Sequence, residues 1–149
     1  MDPIIFEGIC LVFGALIGSF LNVVIGRLPQ KMSLGGRSHC PDCGNVLTAV
    51  QLIPVFSYLL QRGRCRACHK PVSPRYLIIE LVTAVLFGIA GYIISPADLG
   101  EYIMLIRMLL FIAVMVVVFV IDLEHYLILD VVVLPASKAE LILKVGIDF

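Results

Sequence analysis

The sequence predicts an all-α polytopic membrane protein with about three transmembrane helices, a short C-terminal segment, and a cytoplasmic zinc-binding loop of four cysteines after the first helix. Three observations predict it. The 149 residues are 60% hydrophobic and 15% charged, against about 45–50% and about 25% in soluble domains, and the mean hydropathy is +1.05. The apolar residues fall in runs of about 20, the length that crosses a bilayer. One polar segment interrupts them, and it holds Cys40, Cys43, Cys65 and Cys68 as two CxxC pairs with 21 residues between.

A net charge of zero hides an asymmetry. Eight of the 11 Lys and Arg residues lie from Arg27 to Arg75, with one acid, Asp42, a local balance of +7. Basic patches bind nucleic acid in some proteins. This one flanks membrane helices, where Lys and Arg mark the cytoplasmic side, so no nucleic-acid partner is expected. The orientation follows: cysteine module inside, N-terminus outside. Met1, Asp2, Pro3 and Glu7 make no basic n-region, so the first apolar run reads as a retained helix rather than a signal peptide.

The first span is read over 4–25. Gly14, Gly18, Asn22 and Gly26 recur every four residues, beside Ala15 and Ser19. Gly14 and Gly18 form a GxxxG pair, which lets another helix approach closely. Asn22 reads either as a packing residue or as part of a site at the cytoplasmic mouth. The loop module is read over 26–75, broken by Gly35, Gly36, Pro41, Gly44, Pro54, Gly63, Pro71 and Pro74. Within it, 52–60 is an apolar patch that covers the metal or lies on the membrane surface.

The second span is read over 76–94, with Glu80, Ala84 and Gly88 at helical spacing. This stripe is expected to pack on the Gly14/Gly18/Asn22 stripe. A carboxylate in such a helix is expensive and is either functional or paired; Arg75 is one candidate partner. A turn with Pro96, Asp98 and Glu101 leads to the third span, 102–121, where Arg107 can snorkel to the outer face. No internal repeat is apparent. The third span then returns Asp122 to the cytoplasmic side, the same side as the cysteines.

Two constellations carry chemistry. Paired CxxC motifs in a reducing compartment point to four thiolates around one tetrahedral Zn²⁺, a site with no open position that would help fold a loop lacking its own core. Two disulfides are the rival reading, and His39 and His69 adjoin the pairs as substitute ligands. Cys10, alone in an apolar run, reads as a packing residue. The second constellation is Asp122, directly after an apolar run, with Glu124, His125 and Asp130 nearby. Desolvation there raises proton affinity, and two carboxylates sharing one proton can activate water for peptide hydrolysis. Polar residues that merely end a helix would look the same.

Several stretches resemble the N-terminal half of the type IV prepilin peptidase family. They are Gly18 to Pro29 (GSFLNVVIGRLP), the two CxxC pairs, Gly63 to Tyr76 (GRCRACHKPVSPRY), Ile79 to Ala84 (IELVTA) and Ile121 to Asp130 (IDLEHYLILD). The resemblance implies a multi-pass enzyme of the bacterial inner membrane with two activities. One cleaves prepilin or pseudopilin leader peptides at the cytoplasmic face. The other methylates the new N-terminus with S-adenosylmethionine. It implies that Asp122 is the first catalytic aspartate, and that Glu80 and the cysteines belong to the part linked with methylation and stability. The family's second aspartate lies in a GxGD motif further along. This sequence contains none; its nearest echo is Gly146-Ile-Asp148. Residues 122–149 are therefore read as the start of the peptidase domain, truncated. Hydrolysis is expected to need a second carboxylate from Asp130, Asp148 or a partner subunit. The alternative is a non-proteolytic zinc-binding subunit that binds pilin leaders or another membrane protein. Either way, the chain is expected to contact lipid and to pair with a second copy or a missing C-terminal partner.

Overall fold

The computed structural model describes residues 3–125. The chain divides into two compact units, Met1–Val117 and Val118–Phe149. Four α-helices are described: α1 (Pro3–Arg27), α2 (Phe56–Leu60), α3 (Arg75–Ile94) and α4 (Leu99–His125), with a 3-10 turn at Ala49–Leu52 before α2. Three of them are long and apolar enough to cross a membrane: Ile4–Arg27, Arg75–Ile94 and Leu99–Glu124. Among the described residues there is no strand beyond two isolated bridges. The helical membrane class therefore stands.

The first unit is organised by an antiparallel pair, α1 against α3. Their contact is close because glycines leave room for it. A Cβ added at Gly14 would lie 2.7 Å from the Phe87 Cβ and 2.8 Å from the Ala84 Cα; one at Gly18 would lie 2.8 Å from the Glu80 Cα. The reciprocal glycines on α3 face α1: Gly88 meets Leu11, and Gly91 meets the Cys10 thiol. The two small-residue stripes thus pack together, and Cys10 is a buried packing residue. Gly26 differs, because it faces open space. Bilayer lipid offers no hydrophobic reward for helix association, so this backbone approach is what holds the pair. Phe87, Ile25 and Thr83 are its most deeply buried side chains. The Thr83 hydroxyl is satisfied by donating to the Ile79 carbonyl of its own helix, 2.7 Å away.

The ends of the helices are fixed locally. Arg27 closes α1 by donating from Nη1 to the carbonyls of Ser33 and Gly35, at 3.1 and 2.7 Å, which folds the following loop back on the helix. Ser95, at φ +38°, ends α3 in the left-handed conformation and donates its N–H to the Gly91 carbonyl, a common helix stop. Asp98 opens α4: its carboxylate accepts the Glu101 N–H at 2.8 Å, while the Glu101 carboxylate accepts the Ala97 N–H at 2.7 Å. This reciprocal capping starts the helix at Leu99, ahead of the apolar run that begins at Tyr102. In the first unit α4 touches α1 edge-on through Phe6 and Tyr102, with ring centroids 6.4 Å apart. Met104, Ile106, Leu110 and Phe111 remain exposed.

Because the Cβ of residue 18 would press on backbone rather than on a flexible side-chain tip, Gly18→Val is expected to push α1 and α3 apart and destabilise the pair by about 1–3 kcal/mol. Gly26→Ala is expected to be neutral. Unfolding of both variants in detergent, followed by circular dichroism, checks this; equal stability would mean the contact is not as close as described.

Candidate functional site

The polar module between α1 and α3 contains two copies of one backbone design. Cys40 donates its N–H to the Asn45 carbonyl and accepts from the Gly44 N–H; Cys65 donates to the Lys70 carbonyl and accepts from the His69 N–H; all four distances are 2.9 Å. The residue after each second cysteine is left-handed, Gly44 at φ +70° and His69 at φ +55°. An isolated antiparallel bridge closes each turn, His39 with Val46 and Arg64 with Pro71. No repeat is apparent in the sequence, yet residues 39–46 and 64–71 repeat in backbone. Their side chains share little besides the cysteines, which is why the sequence does not show it.

The two turns face each other and gather their thiols. The four Sγ atoms of Cys40, Cys43, Cys65 and Cys68 all lie within 4.8 Å of one another, with Cys40 to Cys68 at 3.9 Å and Cys43 to Cys65 at 4.0 Å. Thiolates about 2.3 Å from a tetrahedral metal stand about 3.8 Å apart, so the set fits a tetrahedral ion. Disulfide sulfurs stand about 2.05 Å apart, and all five cysteines are free thiols here. His39 and His69 are exposed and lie outside the thiol group. Backbone N–H groups of Cys68 and Ala67 pull the Cys65 thiol down to about 7, against desolvation. At Cys43 the Asn45 backbone also pulls down, but desolvation and the other three thiols outweigh it and leave that thiol at about 11. Thiolates are the form that binds a metal, so a cation bound among the four sulfurs would favour their ionisation. Asp42 and Lys70 join the two turns across their outer edge by an ion pair of 2.8 Å, and the Asp42 hydrogen bond and charge raise the Lys70 ammonium above its usual range. Both groups are solvent-exposed, so the pair adds little stability.

Between this module and the α1–α3 pair lies a cavity of about 530 Å³, lined by Ser19, Asn22, Arg27, Ser57, Tyr58, Gln61, Tyr76 and Glu80 among others. Its floor is set by two buried polar side chains of the helical pair. Asn22, 4% exposed, donates from Nδ2 to the Tyr76 carbonyl at 3.0 Å, while its Oδ1 is buried without a partner. Glu80, 8% exposed, accepts the Val55 N–H at 2.7 Å and a hydrogen bond from Ser19. Val55 sits at φ +63°, ψ −54°, and the Phe56 N–H reaches back to the Pro54 carbonyl at 2.6 Å. This is a γ-turn of the strained hand, unusual for a β-branched residue, and the Glu80 carboxylate holds it.

Of the site residues read from the sequence, the four cysteines come together, and Glu80 comes to the cavity floor beside Asn22. Asp122 lies half-buried within the last turn of α4, in the second unit, and the helix runs on past it to His125. Asp130, Asp148 and the C-terminal segment lie outside the described residues. The contact of Val55 with Glu80 and the cavity roles of Ser19 and Tyr58 were missed. Nothing in the sequence marked the first, since Val55 and Glu80 are 25 positions apart and the donor is a main-chain amide.

A helical pair of membrane-spanning length that buries a carboxylate and an amide beneath a four-thiol module defines a helical membrane-protein class with a module able to hold a metal set against its first two candidate spans. A family model for the bacterial peptidase A24 N-terminal domain matches residues 12–94, and the chain belongs to that family. It is similar to the prepilin leader peptidase/N-methyltransferase of Myxococcus xanthus, 36% identical over 97% of this chain and 42% of the relative. Its likeness to proteins of the same name is 31% identity in Klebsiella pneumoniae, over 99% of this chain and 65% of the relative, and 37% in Bacillus subtilis, over 80% and 47%. The chain thus spans about half the length of the curated relatives it matches. No solved structure matches it.

Thiols gathered in this geometry are expected to carry about one metal ion per chain, lost in Cys40→Ser and in Cys65→Ser. Elemental analysis of the purified protein with thiol titration decides it. No metal together with no titratable thiols would mean two disulfides instead.

Proposed function

We propose that this chain is the N-terminal part of a bacterial inner-membrane enzyme that cleaves the leaders of type IV prepilins or pseudopilins and N-methylates the new N-terminus. The observation that carries the reading is the family match over residues 12–94, the stretch that contains the four thiols and the cavity floor. The basic balance of Arg27 to Arg75 supports a cytoplasmic module and an outside N-terminus.

The ion held by Cys40, Cys43, Cys65 and Cys68 is Zn²⁺ in a structural role, because four thiolates complete its tetrahedron and leave no position for substrate. It replaces the hydrophobic core the loop lacks. In zinc-finger peptides such sites contribute roughly 10–16 kcal/mol of apparent binding free energy to folding.

The cavity is the candidate methyl-transfer site. Its size falls within the range of about 300–1,000 Å³ common to small-molecule sites, and its donor and acceptor set suits S-adenosylmethionine, which when bound supplies an electrophilic methyl group. The unpartnered Asn22 Oδ1 accepts an N–H from an ammonium or amide group. Glu80 contributes negative charge for a cationic ligand, while Ser19 and Val55 hold its carboxylate in place. Tyr58 is held by donating from its hydroxyl to the Val72 carbonyl at 3.2 Å and supplies an aromatic wall.

Asp122 supplies one carboxylate of the peptide-hydrolysing pair. Two carboxylates that share a proton can take opposite roles, one polarising the peptide carbonyl and the other activating water. Asp130 and Asp148 are candidates for the second in this sequence. A second reading is a zinc-binding membrane subunit that holds pilin leaders without cutting them, which the four gathered thiols and the polar cavity would serve equally well.

Expression with a prepilin in a host lacking its own leader peptidase separates these readings. Asp122→Ala is expected to abolish leader cleavage. Glu80→Gln, which keeps an oxygen for the Val55 N–H, is expected to leave cleavage intact and to lower N-terminal methylation at least about tenfold, the scale of about 1.4 kcal/mol, read by mass spectrometry. Cleavage that survives Asp122→Ala would overturn that assignment. No cleavage by the unaltered chain, with prepilin still captured, would favour the second reading.

A further inference from the structure

Residues 49–61 present two opposed faces. Ser57, Tyr58 and Gln61 turn toward the cavity. Val50, Ile53, Phe56, Leu59 and Leu60 turn outward and are exposed, Phe56 by 67% and Leu60 by 73%. Phe56, Leu59 and Leu60 follow the i, i+3, i+4 spacing of one helix face, and the three exposed arginines Arg62, Arg64 and Arg66 come directly after. Five large apolar side chains within 11 residues are too many to leave in water without a covering partner.

The level of this segment identifies the cover. The Val55 N–H is bonded to Glu80, which is five residues into α3 from Arg75. At 1.5 Å per residue, Glu80 lies about 7.5 Å inside the end of that membrane helix. Helical side chains lean toward the N-terminus, which brings the carboxylate back by part of a turn but keeps it within the helix. The Glu80 Cα also lies against Gly18, nine residues before the end of α1. Val55, at the middle of the 49–61 segment, is therefore held beside the helical pair, at the depth of about 5–10 Å where interfacial helices rest, and the two short helical pieces on either side of it flank that point. Ile78, Leu81 and Val82, near Glu80 on α3, are exposed apolar side chains at the same depth along that helix. Arg75, stacked on the Tyr76 ring at 5.1 Å, marks the headgroup level with the aromatic and basic residues usual there.

We infer that residues 49–60 form an interfacial element that docks into the lipid headgroup and upper acyl region of the bilayer, with Arg62, Arg64 and Arg66 among anionic headgroups, so that the cavity is walled on one side by a lipid-anchored helix. The inference rests on α1 and α3 crossing a bilayer, and not on either enzymatic activity. The cavity then lies level with the membrane surface, open to a substrate that arrives along it.

The protein contains no tryptophan, so a single introduced one reports its own surroundings. Phe56→Trp and, separately, Leu60→Trp in the full chain are reconstituted into nanodiscs of phosphatidylcholine and phosphatidylglycerol, with metal content measured to show the module is folded. Expected for both is blue-shifted emission that falls to about half in lipids brominated near the headgroup end of the acyl chain and less in lipids brominated deeper, as a depth of about 5–10 Å requires. Blue-shifted emission that brominated lipids do not quench would mean that a second copy or another protein segment covers the face. Emission at the position of tryptophan in water, quenched by iodide, would mean an open surface. Either result overturns the inference.

Discussion

The hydrogen bond between the Glu80 carboxylate and the Val55 N–H is the point where the polar module and the membrane helices become one structure. Glu80 belongs to α3 and is buried against α1, at the level where Gly18 lets the two helices touch. Val55 belongs to the module and sits in a γ-turn that a β-branched residue adopts only under constraint. A carboxylate inside a membrane helix is expensive unless satisfied, and a strained turn opens unless held. Each group supplies what the other lacks. Ser19, one residue past Gly18, adds a second donor to the same carboxylate.

Two other constraints lead into this one. The glycines of α1 and α3 bring the backbones close enough that Asn22 reaches the Tyr76 carbonyl, and the amide and the carboxylate then share a cavity floor. On the module's side, the paired cysteine turns hold residues 39–46 and 64–71 without a hydrophobic core, so the segment between them can expose apolar residues outward and polar ones inward. The cavity exists because the four-thiol module stands over the helices and touches down at Val55.

Much of this was legible beforehand. Apolar runs of membrane length, CxxC pairs with their even spacing, and small residues every fourth position all report local chemistry that one stretch of chain carries by itself. The stripes of Gly14/Gly18/Asn22 and Glu80/Ala84/Gly88 even indicated which faces meet, because small residues on an apolar helix have few other uses. What was not legible depends on backbone or on distant partners. The two cysteine turns repeat hydrogen bonds and left-handed residues, and His69 takes the conformation that Gly44 takes, so no side-chain repeat marks them. The partner of Glu80 is a main-chain amide, which any residue type except proline could provide. Helix α4 extends beyond its apolar run because Asp98 and Glu101 cap it early and the residues after Ile121 are compatible with helix.

The central claim is that Glu80 joins the module to the helical pair. Hydrogen exchange of the reconstituted protein, resolved by mass spectrometry over residues 49–61, tests it most directly. The account predicts slow exchange across Val55 to Gln61 in the unaltered chain. In Glu80→Ala it predicts fast exchange confined to that stretch, with α1, α3 and the metal content unchanged. Exchange over 49–61 that is the same in both proteins would contradict it.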